Sequence, residues 1–169
     1  MQAEYMVNGH RIVKFMSEMA ERHPQMEDFS RPSGDQLFRA EYLHQAGRNS
    51  TFTCDSCDSA SYVTRPPRAT DAPMIHYGGI ASGNQVIKCG QTRDRLAQQL
   101  GGNICFEMEA AGLMDNFPCL VIRGISDYAD SHKNKEWQKY AAAVAAAAYA
   151  KQFLLMTPAR QVEITPKAT

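Results

Sequence analysis

Two clusters of carboxylates have the residue types and spacing for acid–base or hydroxyl-binding chemistry. Glu107 and Glu109 lie two positions apart, where an apolar run passes into a predicted helix. A carboxylate there can bind a vicinal diol, because its two oxygens accept two hydroxyl hydrogens at once. It can equally be a structural acid that the helix dipole stabilises.

Asp127 follows another apolar run directly, with Ser126 beside it. Partial burial would suit Asp127 to general acid catalysis, while a cap of the next turn is the structural alternative. A third polar cluster runs from Ser82 to Ile87. Its Ser-Gly pair lets the backbone approach a ligand closely, or simply makes a tight turn.

The elements that must position these clusters alternate between strand and helix. This alternation predicts an α/β layer structure with a largely buried sheet. Each cluster then falls at the carboxyl end of a strand, where open α/β sheets bind ligands. The predicted strands are Met74–Ala81, Asn103–Phe106 and Cys119–Ile125, and the predicted helices are Thr92–Leu100, Glu109–Asn116 and Asn134–Met156.

The rest of the chain is less regular. Apolar residues at helical spacing predict a first helix over Val7–Glu21, which His23-Pro24 ends. Residues 25–72 predict a long irregular segment with a short strand or two. We expect one domain over 1–156, with its motifs in 73–156 and a loose tail over 157–169.

Composition excludes several classes of protein. The 169 residues carry 18 basic and 18 acidic side chains, so a broad basic surface for nucleic acid or membrane is not expected. No apolar run is long enough to span a bilayer, and the N-terminus does not resemble a signal peptide. With 5 cysteines and no such signal, reduced thiols in the cytoplasm are the simplest expectation.

Cys54 and Cys57 form a single CxxC pair. A structural zinc site usually takes two such pairs, although His44 and His76 could contribute ligands. Without a second pair, neither a metal nor another cofactor is expected. His132 is interpreted as a capping or solvent-facing residue, and the charged run that starts at Lys133 as a solvated helix start.

Three motifs in the same order resemble the C-terminal half of the nucleoside phosphorylase and nucleosidase superfamily, of the purine and uridine phosphorylase type. They are IASGNQVI, FEMEAAGL and RGISDYAD, over 80–87, 106–113 and 123–130. The CDSCD and RPPR stretches resemble the fungal versions of this domain. The resemblance implies a three-layer αβα fold with a mixed, mostly buried sheet, incomplete at its N-terminus because the family's first strand and Gly-rich loop are not found before Pro73.

The resemblance also implies roles for particular residues. Asp127 would donate a proton to the departing purine base, and Glu109 would hold the ribose hydroxyls. The remaining implied substrate-binding residues are Met108 against the sugar, Ser126 beside Asp127, Val86 and Ile87 near the base, and Phe106 at the start of its motif. Bacterial nucleosidases usually carry Asp at the position of Asn84 and Phe at that of Val86, which puts base specificity in doubt.

The expected activity is therefore cleavage of the N-glycosidic bond of a purine nucleoside or nucleotide, by phosphate or by water. The resemblance further implies a homo-oligomer. The alternative is a non-catalytic remnant or interaction module that keeps the C-terminal half of the fold.

Overall fold

A computed structural model describes residues 11–47, 53–103, 105–117, 119–133 and 135–158. The first four positions of the predicted N-terminal helix, 7–10, lie outside these ranges, as do residues 159–169 of the predicted tail. Within the ranges the chain is a mixed α/β structure with a small parallel sheet and several helices. None of the described helices is both long enough and apolar enough to cross a bilayer.

Helix α1 (Ile12–Arg22) forms where the apolar spacing predicts it, and Pro24 follows its end. Its buried face carries Ile12 and Phe15, which pack with Ala148 near the other end of the chain. The backbone N–H of Arg11 donates to Oε1 of Gln152 at 2.9 Å and fixes the same pair of segments. The N- and C-terminal helices therefore form one small core.

The described residues of the segment 25–72 are largely irregular, and the short strand or two predicted there does not form among them. Its regular parts are two 3-10 helices, Pro24–Phe29 and Ser59–Ser61, and an isolated antiparallel bridge between Phe38 and Tyr62. Phe38 is 1% exposed, so it anchors this segment in the interior.

The sheet consists of β1 (Ile80–Ser82) and β2 (Cys105–Glu107), which run parallel. Helix α2 (Gly90–Gln99) connects them and begins two residues before the predicted start at Thr92. Gly90 lies against the backbone of Ala40, where an added Cβ would come within 2.7 Å of it. This contact with Ala40 lies at the point where α2 begins, and helix propensity alone does not predict it.

The predicted strand over Cys119–Ile125 is wrong: these residues form no strand. A strand needs a hydrogen-bonded neighbour, and this apolar stretch pairs with none of the described residues. Leu120 is 64% exposed and Ile125 is 46% exposed. The mixed α/β class is confirmed, but the prediction of a mostly buried sheet is wrong, because five of the six strand residues are only half-buried. The three-layer αβα arrangement stays a prediction.

Two helices complete the fold. Helix α3 (Ala110–Met114) is shorter than predicted. Helix α4 is built from three consecutive pieces, Glu136–Gln138, the π-helical Lys139–Ala145, and Ala146–Met156. The predicted start of α4 at position 134 lies outside the described residues. Small alanine side chains let the backbone of Gly124 approach α4 closely, since an added Cβ would clash with the carbonyl oxygen of Ala141.

Candidate functional site

The carboxyl ends of β1 and β2 bring the first two polar clusters together. Ser82 is paired with Glu107 in the parallel register, and the N–H of Gly83 donates to the Glu107 carbonyl at 3.2 Å. The N–H of Ala111 in turn donates to Oγ of Ser82 at 2.9 Å. The Ser82-Gly83 turn is therefore hydrogen-bonded to the start of α3.

Glu107 is the structural acid of its pair. It is 7% exposed, and its carboxylate accepts hydrogen bonds from the N–H groups of Glu109 and Ala110, each at 2.9 Å. Burial alone would raise the pKa of Glu107, but the hydrogen bonds from Ser82 and these two amides outweigh it and lower the pKa to about 2. Glu107 is therefore ionised near neutral pH and accepts hydrogen bonds from the amides at the start of α3.

Glu109 is the available acid of the pair. Its side chain is 61% exposed and lies 3.2 Å from Nη1 of Arg123, the first residue of the third cluster. Met108 beside it is 45% exposed. An accessible carboxylate next to an accessible apolar side chain is an arrangement that can bind the hydroxyl and carbon faces of a sugar.

Asp127 is held by contacts of its own. Its side chain is 14% exposed, and Nζ of Lys133 lies 3.0 Å from Oδ2 and 3.1 Å from Oδ1. The N–H of Ala129 donates to Oδ1 at 2.9 Å, and the Ser126 hydroxyl lies 3.5 Å from Oδ2. Ala129 has φ of 52°, a left-handed conformation that is uncommon outside glycine and is found more often near functional sites.

The other residues of the predicted site are spread around this edge. Val86 is 44% exposed, whereas Ile87 and Phe106 are half-buried. No described contact joins Asp127 to Glu109, and Arg123 makes the link between the second and third clusters.

Sequence reasoning missed Lys133 and Arg123. Lys133 was interpreted as part of a solvated helix start, yet it pairs with Asp127 six positions earlier. Arg123 is the first residue of the motif that contains Asp127, and this position could have indicated that Arg123 lies at the site. Both residues place a cation beside one of the two predicted functional acids.

A second cluster of polar side chains consists of His44, Cys54, Cys57 and His132, the last of which follows Asp127 in the same loop. His44 Nδ1 lies 3.4 Å from the sulfur of Cys57 and 3.9 Å from that of Cys54. One ligand atom from each of His44, Cys57 and His132 lies within 4.8 Å of the others. The solvent-facing interpretation of His132 is wrong, because its side chain is 4% exposed.

In this second cluster the pKa shifts favour the uncharged forms of the Cys54 thiol and the His132 ring. Burial, reinforced by the neighbouring Cys57, raises the pKa of Cys54 to about 11. Burial lowers the pKa of His132 although Asp130 opposes the shift. His76, the other histidine considered at the sequence level, is exposed and belongs to no such group among the described residues.

A cavity of about 460 Å³ lies elsewhere, along the RPPR stretch. None of the predicted site residues lines it. Its three arginines already have acidic partners: Arg31 pairs with Asp71, while Arg65 and Arg68 pair with Asp35. We therefore do not assign the candidate site to this cavity.

Comparison with known proteins finds similarity to two kinds. A nucleotide-binding leucine-rich repeat (NLR)-like protein of Hyaloscypha variabilis is 61% identical over 92 residues, which are 54% of this chain and 9% of that protein. 5'-Methylthioadenosine/S-adenosylhomocysteine nucleosidases of Mycobacterium bovis and Mycobacterium tuberculosis are 37% identical over 79 residues, 44% of this chain. The matched part covers 31% of those nucleosidases. No protein-family model and no solved structure matches the chain.

Proposed function

We propose that this chain cleaves the N-glycosidic bond of a purine nucleoside. The observation that carries the proposal is the exposed Glu109 carboxylate, held by Arg123 at the carboxyl edge of the parallel strands. The similarity to nucleosidases supports the same class of reaction. The names of those relatives make 5'-methylthioadenosine and S-adenosylhomocysteine the first substrates to try.

In the proposed reaction the bond between the anomeric carbon and the base nitrogen breaks. Positive charge builds on the ribose and negative charge on the base. Asp127 donates a proton to the base as it leaves, a step typically worth about 10²–10⁴ in rate. Water or phosphate then forms the new bond to the anomeric carbon, so the outcome is either hydrolysis or glycosyl transfer to phosphate.

Each remaining residue has a positioning task in this scheme. Glu109 accepts hydrogen bonds from the two ribose hydroxyls and fixes the sugar relative to Asp127, which is an orientation effect. Met108 packs against the sugar, and Ser126 supports Asp127. Phe106, Val86 and Ile87 complete the pocket, the last two on the side of the base. We further propose that the protein is cytoplasmic and acts as a homo-oligomer.

A second candidate function is that of a non-catalytic interaction module. The observation that favours it is the unpaired apolar stretch 119–125, which exposes surface where the predicted fold has a strand. In that case the chain would keep a ligand pocket without turnover.

The test of the enzymatic proposal is release of free base by the purified 169-residue chain. Substrates are the two thioether nucleosides, adenosine, inosine, guanosine and uridine, each with and without phosphate. Asp127→Asn removes the proton but keeps the shape, so we expect a loss of about 10²-fold or more in rate. Asp115→Asn is the matched control, because Asp115 is an exposed acid outside the site.

Full activity of Asp127→Asn would overturn the role given to Asp127. No release of any base by the wild-type chain would favour the interaction module. Release that requires phosphate would identify a phosphorylase, and release without it a nucleosidase.

A further inference from the structure

The half-buried cluster of Cys54, Cys57, His44 and His132 has the donor set of a metal centre. Cys54, Cys57 and His44 come from the irregular segment, while His132 comes from the loop before α4. Two thiol sulfurs and two imidazole nitrogens are the ligands of many structural zinc sites. The CxxC pair therefore has two histidine partners, one of them 75 or more positions away in the sequence.

The spacing of these atoms fits a tetrahedral ion. Zinc binds sulfur at about 2.3 Å and nitrogen at about 2.0–2.1 Å, so neighbouring ligand atoms lie about 3.3–3.8 Å apart. His44 Nδ1 is 3.4 Å from the Cys57 sulfur and 3.9 Å from the Cys54 sulfur. A nitrogen of His132 lies within 4.8 Å of the ligand atoms of His44 and Cys57. Cys54 is not within 4.8 Å of all three of these ligand atoms, so its side chain would have to move toward them to close the site.

Unpartnered nitrogen atoms give an independent observation. Both ring nitrogens of His132, and Nε2 of His44, are buried without a hydrogen-bond partner among the described residues. A buried polar atom without a partner is costly, so each such atom calls for an explanation. A bond to a metal ion would satisfy one of the two unpartnered ring nitrogens of His132.

The residues around His132 restrict the orientation of its ring, as expected for a side chain that binds a metal ion. Its ring stacks on Phe38 with centroids 3.8 Å apart, which fixes the plane of the imidazole. Oδ1 of the buried Asp130 lies 3.7 Å from Nδ1 of His132. This distance is too long for a hydrogen bond, so Asp130 would need a small shift before it could orient the ring as carboxylates commonly do for metal-binding histidines.

We propose that Cys54, Cys57, His44 and His132 bind one structural zinc ion. With four protein ligands the site is closed, so the ion joins parts of the chain rather than reacting with substrate. It would tie the irregular segment 25–72 to the loop that carries Asp127, five residues before His132. The proposal is independent of the enzymatic one, because its readout is metal content.

The first experiment measures zinc in the full chain. The chain is purified under reducing conditions, stripped of metal, and titrated with Zn²⁺ in competition with a chromophoric chelator. We expect one ion per chain with a dissociation constant of about 0.1 µM or tighter. The absence of saturable binding in this range would overturn the proposal.

The second experiment identifies the ligands. Co²⁺ in place of Zn²⁺ should give intense visible bands with a thiolate charge-transfer band, and zinc X-ray absorption should show two sulfur and two nitrogen neighbours. A shell of oxygen and nitrogen alone, or a Cys54–Cys57 disulfide in the freshly reduced chain, would contradict the proposal. Because both spectra are recorded on the wild-type chain, the result does not depend on whether variants fold.

Variants then assign the individual residues. The double substitution Cys54→Ser with Cys57→Ser should abolish the charge-transfer band, whereas Cys119→Ser, at an exposed cysteine outside the cluster, should leave it unchanged. Asp130→Asn should weaken zinc binding by roughly 10–100-fold, as expected for a residue that orients a ligand. An unchanged cobalt spectrum in the double variant would exclude the CxxC pair as ligands and overturn the assignment.

Discussion

Glu107 and Glu109 show how two acids separated by one residue can take opposite tasks. The Glu107 carboxylate is buried and already accepts hydrogen bonds from two backbone amides. The Glu109 carboxylate is largely exposed and has one cationic neighbour. Since β2 ends at Glu107, the two side chains no longer follow the alternation that would send them to the same face. The first acid stabilises the start of α3, and the second stays exposed beside Arg123.

Amide substitution of each acid should separate these tasks. Glu107→Gln keeps the shape but removes the charge that the amides of α3 face, so we expect the free energy of unfolding to fall by about 1–3 kcal/mol. Glu109→Gln should leave it within about 0.5 kcal/mol, as for other exposed positions. Urea denaturation followed by circular dichroism measures both. Equal destabilisation by the two variants would contradict this division.

Acid should destabilise the protein through Glu107. Its pKa is about 2 in the folded chain against an ordinary value of 4.5. A carboxyl whose pKa is lowered by folding contributes stability that is present above about pH 4.5 and is lost as the pH falls toward 2. Melting temperature measured across this window should therefore fall less steeply for Glu107→Gln than for the wild type. Parallel curves would show that other groups govern acid unfolding.

The candidate site illustrates what sequence can and cannot supply at the residue scale. Asp127 and Glu109 are predicted as site residues because the order of the motifs resembles that of a known family, and their roles stay predictions. The burial of His132 was not predicted, because it depends on Phe38, Tyr42 and His44, which stack on or face its ring from 88 or more positions away. The pairing of Lys133 with Asp127 was not predicted for a similar reason, since a lysine within a charged run does not indicate which carboxylate it will pair with.

At the scale of elements, helix and strand positions followed the sequence where local signals were strong. α1 and α2 lie at or near their predicted positions and β2 overlaps its predicted range, whereas the prediction for Met74–Ala81 is largely wrong, since only Ile80 and Ala81 of that run are in a strand. The error over Cys119–Ile125 has a physical cause, because an apolar β-compatible run becomes a strand only if another strand pairs with it. The π-helical part of α4 was also not foreseen, since alanines favour an α-helix.

The contact between Gly124 and α4 should be intolerant of any side chain. An added methyl group would meet the Ala141 carbonyl oxygen, which belongs to the helix backbone and cannot rotate away. We expect Gly124→Ala to lower the free energy of unfolding by about 3 kcal/mol or more. Gly112→Ala in α3 is the matched control: nothing lies within 4 Å of the added group, and alanine should be neutral or stabilise by about 0.5–1 kcal/mol. Equal unfolding midpoints for the two variants would refute this packing.

For the molecule as a whole, contacts distant in sequence hold the irregular segment in place. Tyr128 donates to Oδ1 of Asp35 at 2.6 Å across 93 positions, and Arg65 also contacts both residues. Arg93 reaches the Tyr128 carbonyl at 2.8 Å. In this segment, side-chain contacts take the place of the backbone hydrogen bonds that a larger sheet would provide. They join residues distant in sequence, so no periodic pattern in the sequence predicts them. This is why the segment 25–72 could be predicted only as irregular.

The proposed self-association can be tested on the apolar surface that follows β2. Large side chains there are 43–64% exposed, namely Leu113, Met114, Phe117 and Leu120. Leu113 and Phe117 are one turn apart, with the Phe117 N–H donating to the Leu113 carbonyl at 2.8 Å, so they present one patch. Clustered exposed apolar groups favour burial against a second copy of the chain.

We expect sedimentation velocity to show concentration-dependent dimers. The double substitution Leu113→Glu with Phe117→Glu should weaken the association at least about tenfold, because truncating or charging a central apolar contact typically removes that much affinity. Leu43→Glu, at an equally exposed leucine in the irregular segment, should leave it unchanged. A monomer at every concentration would refute self-association, and equal weakening by the two variants would place the contact outside the Leu113–Phe117 patch.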